Sequence, residues 1–129
     1  TKSYRNTFKF NKEVNILINA IIKNPKYIGG SDSLDSKIMM ISNKNIFCKG
    51  GAEGVFLFTN LKKGIVGVIK VVDGNERAIP SAILSIFKKF KIMNSSEINT
   101  LSKIYKSNLF NHAMIKVGSI ETRIWLLLE

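Results

Sequence analysis

The stretch N-I-F-C-K-G-G-A-E-G-V-F-L-F, Asn45 to Phe58, decides how the chain is read. Lys49, Gly50 and Gly51 interrupt an apolar run that otherwise has the character of a buried strand. Glycine weakens a strand interior, so a pair there marks a bulge or a place where something else approaches the backbone. Alternate strand side chains share a face, so Lys49 and Gly51 point one way while Cys48 and Gly50 point the other. This assigns Cys48 to the core. Gly51 has no side chain, so a ligand can lie along the backbone beside Lys49 and take a hydrogen bond from a free main-chain N–H, the ingredients of an oxyanion site. A simple surface bulge fits the same residues, and the pattern alone leaves both readings open.

Outward from this stretch, A-E-G-V-F-L-F-T-N (52–60) and G-I-V-G-V-I-K-V-V (64–72) flank L-K-K-G, which predicts an antiparallel hairpin with Gly64 at a positive φ. Upstream, residues 11–30 read as a helix with Asn11 as its cap, Glu13 in its first turn, and Val14, Leu17, Ile18, Ile21 and Ile22 as an apolar stripe. Pro25 and the pair Gly29-Gly30 end it. S-D-S-L-D-S (31–36) then reads as a turn and K-I-M-M-I-S (37–42) as a short strand or extended segment. Downstream, D-G-N-E-R-A (73–78) is a turn leading into a helix that carries Ile79, Ile83, Ile86, Phe87 and Phe90 on one face. Asn94 and Glu97 form a capping-box pattern that opens another helix. The β-branched, apolar run 112–128 predicts one or two closing strands. The class is α+β, an antiparallel sheet with helices packed on it.

A chain of 129 residues with 45% apolar content is the size of one domain with a sizeable core. It starts at Thr1 and ends on I-W-L-L-L-E, which reads as a piece of a longer protein. Neither a membrane-spanning run nor the apolar core of a signal peptide is present. One cysteine, Cys48, permits no internal disulfide and no cysteine zinc cluster, and favours the cytoplasm. The net charge of +11 raises the question of nucleic acid. The lysines are dispersed, however, and arginine occurs only at Arg5, Arg77 and Arg123. With no basic run interleaved with aromatics, the excess reads as the Lys-, Ile- and Asn-rich usage of an AT-rich genome, and a nucleic-acid partner is not expected.

His112 is the sole histidine, so no Ser-His triad, Cys-His dyad or multi-histidine metal site can be completed within the chain. Asp32, Asp35, Glu53, Asp73 and Glu76 lie near glycines and turns without a metal-ligand spacing, and no metal or cofactor is expected. Ser85 and Lys88 match S-x-x-K, yet both fall off the apolar face of their helix and read as a solvated pair. The candidate chemistry therefore concentrates on C-K-G-G-A-E-G.

K-G-G-A-E-G with its hairpin, followed by K-V-V-D-G-N-E-R-A, resembles the C-terminal part of the rhizobial-type L-asparaginases, the asparaginase II family. N-P-K-Y-I-G-G, D-S-K-I-M and M-I-K-V-G-S-I resemble the flanking segments, so the likeness covers nearly all of the chain. The resemblance implies a fold related to the serine β-lactamase and glutaminase group. It also implies hydrolysis of the side-chain amide of L-asparagine to L-aspartate and ammonia, by a serine in S-x-x-K and a second serine paired with the K-x-G lysine. Carried over by motif, Lys49 is that catalytic lysine, able to relay a proton to or from a serine or to stabilise charge as an ammonium. Gly51, Ala52 and Glu53 lie beside the substrate, with Glu53 placed to hold Lys49 or the substrate ammonium. Asp73-Gly74 makes a turn, Arg77 pairs with a nearby carboxylate or the helix start, and Lys70 is solvated or in a surface pair.

Two departures qualify this. Ser33 stands where the family commonly has an arginine, and neither catalytic serine has a candidate at a matching position. The zinc-binding cysteines of some members would belong to the same absent half. The expectation is a single unit, residues 1–129, that forms the C-terminal portion of an asparaginase II-like domain. A missing N-terminal half or a homo-oligomer partner would complete it, and alone it would be inactive. The alternative is a non-catalytic scaffold or binding module that has lost the nucleophile half.

Overall fold

V-F-L-F-T-N, with its alternating burial, becomes the middle strand of a three-stranded antiparallel sheet, β1 (Ile46–Gly51), β2 (Val55–Asn60) and β3 (Ile65–Lys70), in the order β1-β2-β3. The computed structural model describes residues 11–105 and 107–125. Pairing runs without a break from Ile46↔Asn60 to Gly51↔Val55, so the glycine pair makes no bulge. Ala52, Glu53 and Gly54 leave the strand and form the turn between β1 and β2, with Glu53 at φ 57° and Gly54 at φ 68°. The expected β2–β3 hairpin is present, and Gly64 takes a φ of 68°.

Among the described residues, five helices precede and follow the sheet: α1 (Asn11–Lys23), the single turn α2 (Lys26–Gly29), α3 (Leu34–Ile41), α4 (Ile79–Lys89) and α5 (Ser95–Ile104). A 3-10 turn, Glu76–Ala78, leads into α4. The segment expected to be a strand at 37–42 is instead most of α3. Ser33 caps this helix by accepting a hydrogen bond from the Ser36 amide at 3.3 Å, and Asp35 occupies its first turn. Ile38 and Met39 are both fully buried, which adjacent positions on a half-exposed strand could not be. On α1 only Ile22 of the expected stripe is buried, whereas Leu17 is 60% exposed. The cap assigned to Asn11 lies outside the described side chains.

The core forms where Ile38 and Met39 of α3 meet Ile46 and Cys48 of β1, Phe56 and Phe58 of β2, Ile79, Ile83 and Phe87 of α4, and Leu101 of α5. Phe58 and Phe87 meet edge to face with ring centroids 5.0 Å apart. Phe90, expected on the same face of α4, is at the exposed C-terminal end. The capping box of α5 is complete: Asn94 accepts from the Glu97 amide and Glu97 from the Asn94 amide, each at 2.9 Å. Buried Asn60 is satisfied by donating to the Ile92 carbonyl at 3.0 Å and accepting from the amides of Lys62 and Lys63. The chain then forms a separate pair of short strands, β4 (Asn108–Phe110) and β5 (Lys116–Ser119). Residues 126–128 of the closing run lie outside the described residues.

Candidate functional site

Lys49 leaves β1 on the face turned away from the core and reaches a cavity of about 520 Å³. Its walls come from elements far apart in sequence: Gly29 at the end of α2, residues 32–35 at the start of α3, the glycine end of β1, Glu76 with the start of α4, and Tyr105 after α5. Of the expected site residues, Lys49, Gly51 and Ala52 line this cavity. Glu53 is not among the lining residues. It sits in the left-handed turn beyond Gly51, where its carbonyl accepts a hydrogen bond from the Lys70 ammonium.

The glycines differ in what they are for. A Cβ built on Gly51 would come no closer than 3.5 Å to Val55, and one on Gly50 no closer than 3.8 Å to Phe56, both ordinary contacts. The protein's own packing therefore does not require glycine at either position, and both line the cavity. At Gly29 a Cβ would lie 2.4 Å from Asp35 Oδ1 and 2.5 Å from Ser33 Oγ, so there glycine is needed.

Asp35, which its sequence context assigned to a turn, is 4% exposed and stands directly behind Lys49. Its Oδ1 accepts from the Ser36 amide at 2.9 Å, its Oδ2 accepts from the Gly50 amide at 3.2 Å, and the Lys49 ammonium lies 3.6 Å from Oδ2. Burial by itself pushes the Asp35 carboxyl up. Hydrogen bonds from Ser33, Gly50 and Ser36, with the Lys49 ammonium added, outweigh it and hold the group below the usual carboxylate range. Asp35 is thus an anion at neutral pH. The edge-strand amide that a ligand could have used is, at Gly50, already donated to Asp35. The Lys49 ammonium also donates to the Gly50 carbonyl.

Other groups around the cavity are occupied. Asp32 pairs with Lys37 at 3.1 Å, and the Lys37 ammonium lies 5.9 Å from the centre of the Tyr105 ring. Tyr105 donates to the Asp32 carbonyl at 3.4 Å, and burial pushes its hydroxyl pKa up. The Ser33 hydroxyl is engaged at the start of α3, 2.9 Å from Ser36 Oγ and 3.2 Å from the Gly30 carbonyl. Sequence reading missed Asp35, Glu76 and Tyr105 as members of the site. For Asp35 a signal existed, since S-L-D-S is a helix start once K-I-M-M is taken as helical.

The remaining expectations have plain positions. Cys48 is fully buried, its thiol donates to the Asp35 carbonyl at 3.4 Å, and burial pushes its pKa up, so it is no nucleophile. Arg77 pairs with Asp73 at 2.9 Å. Ser85 is half-buried and Lys88 exposed on α4. Among the described residues, no three His, Cys, Asp or Glu side chains gather closely enough to hold a metal ion. Among the same residues, no helix is long and apolar enough to cross a membrane.

No curated protein matches the chain. The family model of L-asparaginase II matches residues 2–122, a span that contains the whole Lys49 strand and every residue lining the cavity. The chain belongs to the L-asparaginase II family, hydrolases of asparaginase type whose substrate is an amide such as that of asparagine.

Proposed function

We propose that this chain supplies the lysine side of a Ser-Lys amidohydrolase site that converts L-asparagine to L-aspartate and ammonia. The observation that carries this reading is the Lys49 ammonium at the wall of the 520 Å³ cavity, paired with a buried carboxylate and flanked by Gly50 and Gly51, which leave room for a ligand. In the reaction, Lys49 relays the proton of an attacking serine hydroxyl toward the departing amide nitrogen, or as an ammonium stabilises the charge that develops on the carbonyl oxygen. Gly51 and Ala52 let the substrate lie against the strand. Glu53, at the turn just beyond, sits at the edge of that surface, where a substrate ammonium can be met from outside the cavity.

Residues 1–129 form one unit in this reading, the C-terminal portion of an asparaginase II-like domain. The serine comes from an N-terminal half or from a partner copy, because Ser33 and Tyr105 are the hydroxyl side chains lining the cavity and both are engaged elsewhere. A single buried cysteine suits a reducing compartment, and we place the protein in the cytoplasm. The test is ammonia release from asparagine by the full-length protein and by its Lys49→Ala variant. Loss of release in the variant supports the role of Lys49, and undiminished release removes it. The same engaged hydroxyls favour a second reading, a binding module without catalysis. That reading predicts calorimetric binding of asparagine by the full-length protein with no ammonia formed.

A further inference from the structure

The proposed function uses Lys49 but leaves unexplained why a carboxylate should be buried behind it. Removing a carboxylate from water is costly unless donors replace the lost hydration. Asp35 receives those donors from both sides of a junction: the Ser36 amide within α3, and the Gly50 amide and Lys49 ammonium on β1, fifteen positions away in sequence for Gly50. Among the described residues β1 is an edge strand, and the Gly50 amide, pointing away from β2, finds its acceptor in Asp35 rather than in the sheet. Gly29 leaves the space that Oδ1 occupies.

We propose that Asp35 is the positioning residue of the site: one carboxylate oxygen holds both the Lys49 ammonium and the Gly50 amide, setting the lysine and the glycine backbone in one arrangement at the cavity wall. This rests on the role of Lys49 proposed above. The other charged and titratable groups nearby do not take over the task. Lys37, on the same helix as Asp35, is engaged by Asp32. Tyr105, after α5, donates to a backbone carbonyl, and the Cys48 thiol lies beneath Asp35 against its carbonyl. Glu76 lines the cavity from the 3-10 turn and brings a further negative charge. Lys49 therefore has Asp35 as its carboxylate among the described ion pairs.

The substitution Asp35→Asn keeps an oxygen able to accept from Gly50 and removes the charge that holds Lys49. In the full-length protein it is expected to lower kcat by about tenfold to a hundredfold, the scale of a misplaced catalytic group, with a much smaller change in KM. A second measurement leaves Asp35 in place. The Gly50 amide resonance should titrate at acid pH with the Asp35 carboxyl, and Lys49→Met should move that midpoint to higher pH.

Unchanged kcat in Asp35→Asn, where Lys49→Ala abolishes activity, would overturn the positioning role and leave the proposed function standing. A Gly50 midpoint indifferent to Lys49→Met would overturn the coupling even if Asp35→Asn fails to fold. Undiminished activity in Lys49→Ala removes the proposed function itself, and with it the catalytic meaning of Asp35.

Discussion

One face of the three-stranded sheet carries Cys48, Phe58 and Gly67 in a cross-strand row, and the opposite face carries Lys49, Leu57 and Val68. Both rows come from runs of similar apolar character, yet the first lies under α3 and α4 while Val68 is 69% exposed in the second. Gly67 and Gly51 make the difference concrete. A Cβ on Gly67 would stand 2.3 Å from the Phe58 ring, which is itself packed against Phe87, so glycine there is demanded by the core. Gly51, on the Lys49 face, has no such neighbour. A glycine the fold needs and a glycine it tolerates sit on the two outer strands of the same three-stranded sheet, and the second kind marks the surface available to a ligand.

Removing a side chain from the buried face tests this contrast most severely. Phe87→Ala should cost about 3–5 kcal/mol, the range for deleting a fully buried aromatic, whereas Val68→Thr on the open face should stay within about 0.5 kcal/mol. Urea denaturation of the two variants measures both, and similar losses would show that the open face is covered in solution. The glycines give the next largest difference. Gly67→Ala should destabilise by about 1–3 kcal/mol through overpacking against Phe58. Gly51→Ala should leave the denaturation midpoint nearly unchanged and lower ammonia release by the full-length protein. Equal destabilisation by both would refute the reading of Gly51 as clearance.

The smallest expected effect concerns the Asp35 carboxylate at the border of the two faces. Its pKa is depressed in the folded state, so the stability it contributes is fully present above its ordinary value of 3.8 and is lost as pH falls through the lower folded value. The midpoint of thermal unfolding should therefore fall more steeply below about pH 4 in the natural protein than in Asp35→Asn. Parallel pH dependence in the two would mean that Asp35 does not titrate as an ion-paired group.

Much of the architecture was legible because its causes are local. The β2–β3 hairpin follows from two alternating runs around L-K-K-G, and the start of α5 from Asn94 and Glu97, three residues apart. The buried stripe of α4 follows from Ile79, Ile83 and Phe87 at helical spacing. K-I-M-M-I-S gives no helical signal because its apolar part, the four residues Ile38 to Ile41, is too short to show a period of its own. What makes it a helix is the cap at Ser33 together with core on both Ile38 and Met39. Glu53 lies beyond the end of the strand because the chain turns there at φ 57°, a local backbone choice that the K-G-G-A-E-G run does not announce. Within the site, Lys49 was readable from its motif. Asp35 was not, since its partner amide lies fifteen residues away and nothing beside it in sequence announces burial.

By itself, then, the sequence determined the α+β class, the hairpin, the direction in which Cys48 and Lys49 point from their strand, and family membership through a motif of consecutive residues. Each depends on interactions within a few positions or on the two-residue period of a strand. The tertiary structure alone decided that Asp35 stands behind Lys49, that Glu76 and Tyr105 border the same cavity, and that the Gly50 amide is spent on a carboxylate. Those outcomes depend on how α3 docks against an edge strand, and a docking geometry is fixed by the packing of the whole core.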